Sequence, residues 1–296
     1  MLEFHKPTME DKKWIDDVLA SSRHKGDIYT FAQLLLWSPH YGTAICRHED
    51  ALLITSGHSG EYCIYPAGSY DIRKVMELMK QHFDSRGLPL VIVAAEEWQR
   101  DELMEAFPDR FVAEESRDDF DYIYNAEDLI NLAGKKYHGK RNHISKFTRA
   151  HPDWRFEEVT DETCEECIAM AARWREMNDD GEDSGLSDEF NAISLALRSR
   201  RELGLSCGLI RCDGQVVALS IGEPLNADTF IVHFEKALPE YIEAYTVINK
   251  EFAARFAAGF RYINREEDLG IEGLRRAKLS YYPEILLKKY IITERQ

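Results

Sequence analysis

Residues 206–264 read SCGLIRCDGQVVALSIGEPLNADTFIVHFEKALPEYIEAYTVINKEFAARFAAGFRYIN, and this stretch decides the fold class. Runs rich in β-branched and aromatic residues at 206–211, 216–222 and 230–234 predict three strands. Turn residues separate them at Asp213-Gly214 and from Asn226 to Asp228. The spacing then changes to that of a helix over 246–258, which stops at Gly259, the residue type that most often follows a helix C-terminus. A further strand is expected at 260–264.

Working outward, 155–159 reads as a strand, 162–177 and 188–203 as helices, 271–280 as a helix ended before Pro283, and 285–292 as a final strand. The first half has the same order. It opens with Phe4, and a helix over 9–21 with Thr8 as its cap and a second over 31–37, stopped by Ser38-Pro39, precede strands at 43–47, 51–56 and 61–65. A helix at 71–86, a strand at 88–95, a helix at 97–106 and a strand region at 111–124 follow. The order β-α-α-β-β-β-α-β-α-β therefore occurs twice, which implies structural duplication. The expected fold is α+β, with two tandem units, each a mixed, mostly antiparallel sheet flanked by helices. The expected division is an N-terminal, structural unit at 1–134, a basic linker at 135–154 and a C-terminal, active unit at 155–296.

The chain has 296 residues, 44% hydrophobic and 11% aromatic, a composition that packs a core rather than one of a disordered chain. No apolar run approaches the roughly 20 residues of a membrane helix, and the charged start MLEFHKPTMEDKKW lacks a secretory apolar stretch. A cytoplasmic location is expected. Six cysteines are too dilute for a disulfide framework, and Cys164-Glu-Glu-Cys167 falls on an expected helix, so no metal site is assigned.

With 37 basic and 53 acidic residues the net charge is −16, which argues against a general nucleic-acid coat. The distribution is uneven. Residues 1–134 hold 13 bases against 25 acids, 135–151 hold six bases and no acid, and the remainder holds 18 against 28. The basic segment 135–149 offers Lys140, Arg141 and Asn142 as phosphate contacts, with Arg141 suited to bidentate binding. A solvated helix is the alternative reading. From Glu176 to Glu189 there are seven acids and no base, a segment that suits a cationic amine or is simply a charged loop.

The segment KKYHGKRNHISKF at 135–147 and the segment YINREEDLGIEGLRRAKLSYYP at 262–283 resemble the phosphatidylglycerol lysyltransferase C-terminal domain family, and the element order resembles tandem GNAT-type and Fem-type transferases. The resemblance implies transfer of an acyl or aminoacyl group to an amine or hydroxyl acceptor. It implies aminoacyl-tRNA or acyl-CoA as donor, tRNA contact through 135–149, and a small-molecule or lipid-headgroup acceptor. The membrane portion of full-length lipid-modifying enzymes does not occur in this sequence. Residues 235–245 lack the glycines of a CoA diphosphate loop. Two readings stay beside the main one: an acetyl-CoA-dependent N-acetyltransferase, and a non-catalytic binding protein on the same fold.

Acyl transfer needs a base, an oxyanion donor and an acid for the leaving group. His233 and Glu235 alternate on one expected strand and are base candidates. The family motif carries Asn264, Arg265, Glu267 and Asp268 at a strand-to-helix junction, with Gly270 and Gly273 allowing close backbone approach. Asp268 and Lys278 are read as a catalytic pair. Lys278 would stabilise an oxyanion and Tyr281, three residues on, would act as the acid.

Overall fold

The computed structural model describes residues 2–20, 22–179 and 185–295. The first unit comprises residues 1–122, 267–277 and 285–296, and the second comprises 123–266 and 278–284. The units are therefore not consecutive halves.

In the first unit a capping box between Thr8 and Asp11 starts a 3-10 turn that continues into α1 (Lys12–Leu19). Helix α2 (Phe31–Tyr41) is capped by Thr30, whose Oγ1 accepts from Gln33 N at 3.1 Å. It runs past the expected stop at Ser38-Pro39. Pro39 lies in the last turn, where little helix remains to be disrupted, and Gly42 ends the helix with a left-handed φ of 62°. Strands β1 (Ala44–His48), β2 (Ala51–Ser56) and β3 (Tyr62–Gly68) pair antiparallel. Next come α3 (Ile72–Ser85), β4 (Val91–Glu96), α4 (Glu97–Ala106) and β5 (Phe111–Glu115). Met76, Met79, Phe83, Ile92 and Leu103 are fully buried between the helices and this sheet.

The strand region expected at 111–124 is two strands. A 3-10 turn at Arg117–Asp119 ends β5, and β6 (Asp121–Asn125) joins the other sheet. Helix α5 (Ala126–Asn131) leads to α6 (His138–Ala150), so the basic segment is helical and belongs to the second unit rather than linking the two. Phe147 anchors α6 in a core with Ile210, Val217, Val247 and Ile248.

Strand β7 (Arg155–Glu158), helices α7 (Asp161–Asn178), α8 (Leu186–Arg198) and α9 (Arg200–Leu203), and strands β8 (Ser206–Cys212), β9 (Gln215–Pro224) and β10 (Thr229–Ala237) follow. Helix α10 (Ala244–Phe256) and β11 (Tyr262–Asn264) complete the run read first from the sequence. The chain ends with α11 (Glu272–Leu279), β12 (Ile285–Leu287) and β13 (Lys289–Glu294).

Among the described residues the sheets have the orders β1-β2-β3-β4-β13-β5 and β12-β6-β11-β10-β9-β8-β7. The final strand expected at 285–292 is thus also two strands in different sheets. Strand β13 lies antiparallel between β4 and β5, and β6 lies antiparallel beside β11. The first sheet takes β13 from the C-terminal end of the chain, and the second takes β6 from the end of the first half. Both sheets are mixed and flanked by helices, the expected α+β architecture.

Candidate functional site

The second unit's sheet forks where it meets polar residues. Strand β10 runs parallel to β11 only over Thr229↔Tyr262, Phe230↔Ile263 and Ile231↔Asn264, and then continues to Ala237 while β11 ends. A β-bulge at His233 bends β10 at the same level. Beyond the fork Glu235 faces Ser220 across the β9–β10 pair.

Glu235 Oε1 accepts from Arg265 Nη2 at 2.7 Å, and Oε2 accepts from Asn249 Nδ2 of α10 at 3.1 Å. The Glu235 and Arg265 side chains are only 10% and 12% exposed. Three atoms in this cluster have no hydrogen-bond partner among the described residues: Arg265 Nη1, Asn249 Oδ1 and Ser220 Oγ. The carboxylate fixes the amide's orientation, because a reversed Asn249 would set two acceptors against each other. Buried polar atoms left this way cost free energy unless a ligand or water meets them.

The segment 278–284 crosses the cluster. Tyr281 is buried, with Arg265 Cζ 4.9 Å and Lys140 Nζ 3.6 Å from its ring centroid. Burial pushes its phenol above the ordinary tyrosine range. Tyr124 Oη donates to Lys278 O and Tyr137 Oη to Tyr281 O, each at 2.8 Å, which pins the segment. Lys278 is buried and its Nζ donates to Arg265 O at 2.6 Å, so it positions the arginine backbone. Left-handed backbone at Glu266 (φ 57°) and Tyr282 (φ 56°), neither of them glycine, marks strain on both sides of the cluster.

Other expected site residues have different surroundings. His233 has Nδ1 2.8 Å from Glu266 Oε1 and Nε2 3.0 Å from Glu223 Oε1. Burial alone would lower its pKa, but the two carboxylates outweigh burial and push it up to about 10. The ring is an imidazolium with no lone pair for a proton, so the base expected at His233 is instead a buried cation. Asn264 is fully buried and its Oδ1 accepts from Glu266 N at 2.7 Å, which holds the left-handed turn. Arg141 donates to Leu132 O and Gly134 O, so it staples its helix to the preceding loop. Asn142 is exposed, 3.2 Å from His138 Nε2. Lys140 Nζ donates to Ser280 Oγ at 2.7 Å.

Glu267 and Asp268 fall in the first unit, so the pair Asp268 and Lys278 is divided between units. Asp268 is fully buried and accepts from Arg275 Nε (2.9 Å) and Nη2 (2.7 Å), Tyr122 Oη (2.5 Å), Arg117 Nη1 (3.3 Å) and Gly270 N (2.9 Å). Burial opposes its charge, yet Arg275 and Tyr122 hold the carboxyl well below the usual range. Glu267, Asp27 and Asp121 bring carboxylate oxygens within 4.8 Å of one another, and Lys289 Nζ pairs with both aspartates. Burial and Asp27 push Asp121 up, while Lys289 stays charged because Asp121 and Asp27 outweigh its burial.

Sequence reading missed Asn249, Ser220, Glu223 and Glu266. A lone amide in the apolar run of α10 was the one available signal. Within the second unit a hollow of about 720 Å³ is lined by residues that include Asn125, Asp128 and Arg261, none of them in the cluster. In the acidic segment, Asp180, Glu182 and Asp183 lie outside the described residues.

Residues 19–293 match the family described as phosphatidylglycerol lysyltransferase, C-terminal, and the chain belongs to that family. A conserved protein of unknown function from Bacteroides thetaiotaomicron is 35% identical, with all of both chains covered and a TM-score of 0.94. The L-PGS of Bacillus licheniformis is 14% identical over 98% of this chain and 92% of its own, with a TM-score of 0.68. FemX is 8% identical over 98% and 96%, at 0.61, and a tandem GNAT protein from the clavulanic acid biosynthesis pathway is 9% identical over 100% and 98%, at 0.50. These low identities show a shared fold, the tandem GNAT-like one. An uncharacterized protein of Mycoplasmoides gallisepticum, MYCGA3080, is 22% identical over 58% of this chain, which spans about half (55%) of that relative's length.

Proposed function

We propose that the chain is a transferase that moves an activated acyl or aminoacyl group onto an amine or hydroxyl acceptor, and that the second unit carries the site while the first is structural. The observation that carries this reading is the buried cluster at the β10–β11 fork, where Arg265 Nη1, Asn249 Oδ1 and Ser220 Oγ keep hydrogen-bonding capacity unused. A buried donor beside two acceptors suits an acyl carbonyl flanked by polar substituents. Arg265 supplies the positive charge that an oxyanion needs, and Glu235 holds the guanidinium in place. Lys278 orients Arg265 through its carbonyl, and Tyr281, kept protonated by burial, is the acid for the leaving group.

An aminoacyl donor fits better than CoA. The N-terminal end of α10, where a diphosphate would seat, has Glu243 at its cap position, with its carboxylate ion-paired to Lys146 and no side-chain cap to the helix N–H groups. A carboxylate there competes with an anionic ligand for the helix's positive end.

Thermal unfolding with charged tRNA and, separately, with acetyl-CoA tests the reading, since a ligand at 100 times its Kd adds about 2.7 kcal/mol to stability. Stabilisation by charged tRNA with turnover supports it. Stabilisation by acetyl-CoA alone favours an N-acetyltransferase, and no response to either favours a non-catalytic binding protein. No helix of the described residues is long and apolar enough to cross a membrane. A lipid-headgroup acceptor therefore has to be tested with vesicles as well as with soluble amines.

A further inference from the structure

Transfer to an amine requires a group that removes a proton from the acceptor, and most ionisable side chains of the fork are already committed. His233 has both nitrogens on carboxylates. Glu235 has both oxygens occupied, by Arg265 and Asn249. Lys278 directs its ammonium to a backbone carbonyl.

Lys140 differs. Within the same basic segment Lys136 pairs with Asp128 and Lys146 with Glu243, whereas Lys140 has no carboxylate within ion-pair distance among the described residues. Its Nζ sits 3.6 Å from the Tyr281 ring centroid and 2.7 Å from Ser280 Oγ, and it shares that ring with the Arg265 guanidinium. The charged and titratable groups that face it are Arg265 after β11, Glu235 on β10, and Tyr281. Burial first, and the Arg265 cation second, push its ammonium down to about 8, against a smaller opposing pull from Glu235.

We propose that the ε-amine of Lys140 is the proton acceptor of this site, a role that rests on the transferase reading above. The neutral amine takes one proton from the acceptor's ammonium. The acceptor nitrogen then forms its bond to the acyl carbon, and the bond from that carbon to the leaving oxygen breaks. Tyr281 gives its phenol proton to the leaving oxygen and is reprotonated by Lys140, which lies against its ring; a second amine proton passes to solvent, and the third remains on the product amide. With a hydroxyl acceptor, its single proton passes to Lys140 and from there replaces the one that Tyr281 gives to the leaving oxygen.

Two measurements on the full chain test this. Trace acetylation with acetic anhydride between pH 6 and 10, read by peptide mass spectrometry, should label Lys140 at least ~10-fold faster at pH 7 than exposed Lys135, because more of its amine is neutral there. Equal or slower labelling overturns the proposal whatever the transfer assay gives. With charged tRNA as donor, Lys140→Arg keeps the positive charge but cannot accept a proton at these pH values. It should lower kcat by ~100-fold or more with KM little changed. Retention of kcat within a few-fold would assign Lys140 a charge role only and overturn the proposal. Absence of transfer by the unmodified chain overturns the transferase reading and this step with it. Normal transfer beside ordinary Lys140 labelling overturns this step alone.

Discussion

Arg265 Nη2 lies 2.7 Å from Glu235 Oε1, and the two residues come from the parting ends of neighbouring strands. The pair closes the fork with an ionic contact where the backbone ladder has stopped. Its other contacts, Asn249 on Glu235 and the Tyr281 ring beside Arg265, tie α10 and the segment 278–284 to the same point.

Glu235→Gln should therefore be costly. It leaves Arg265 nearly buried without its counter-charge, and loss of one partner of a buried pair typically costs about 3 kcal/mol. Urea unfolding at pH 7 reads the loss, and a change under ~1 kcal/mol would show that the pair is not the fork's main tie.

Ser220→Ala should separate stability from activity. Ser220 Oγ is buried with no partner among the described residues, so its removal is neutral or stabilising within about 1 kcal/mol. Transfer activity should fall if the hydroxyl meets substrate. An unchanged kcat/KM, measured beside an unchanged melting temperature, would remove Ser220 from the site.

Asp268→Asn should lower stability at pH 7 by roughly 3 kcal/mol, because five donors converge on one buried carboxylate. The pH dependence has a definite sign. The folded pKa is depressed, so the stabilisation is present above the unfolded value of about 3.9 and is lost as pH falls through the lower folded value. Urea midpoints from pH 6 to pH 2 should fall steeply below ~4 in the parent and less steeply in the variant.

His233 gives the opposite dependence. Its folded pKa of about 10 exceeds the unfolded value of about 6.5, so its contribution is complete below ~6.5 and disappears as pH rises through 10. Chemical unfolding between pH 6 and 10 should show a loss of roughly 4 kcal/mol that His233→Asn abolishes. A pH-independent parent would contradict the imidazolium assignment.

The candidate site was legible only in part. The motif around Arg265 and the position of Glu235 stand out from charge in a strand-rich stretch, and the structure joins them. Asp268 was attractive for the same reason, yet it serves the first unit, because the chain passes from one unit to the other between Glu266 and Glu267. Arg141 looked like a phosphate ligand from its neighbours in sequence, but its guanidinium is taken up by two backbone carbonyls.

By itself the sequence determined most of the elements, the fold class and the family, since hydrophobic period, caps and turn residues act over a few positions of chain. Strand β2 at Ala51–Ser56 and helix α4 at Glu97–Ala106 have the bounds their local signals require. The tertiary structure alone decided which sheet receives β6 and β13, because alternation tells which face of a strand is buried and not which neighbour it pairs with. It also decided which ionisable groups are committed. The proton affinity of Lys140 is set by burial and by Arg265, 125 positions away in sequence, and that charge acts through space.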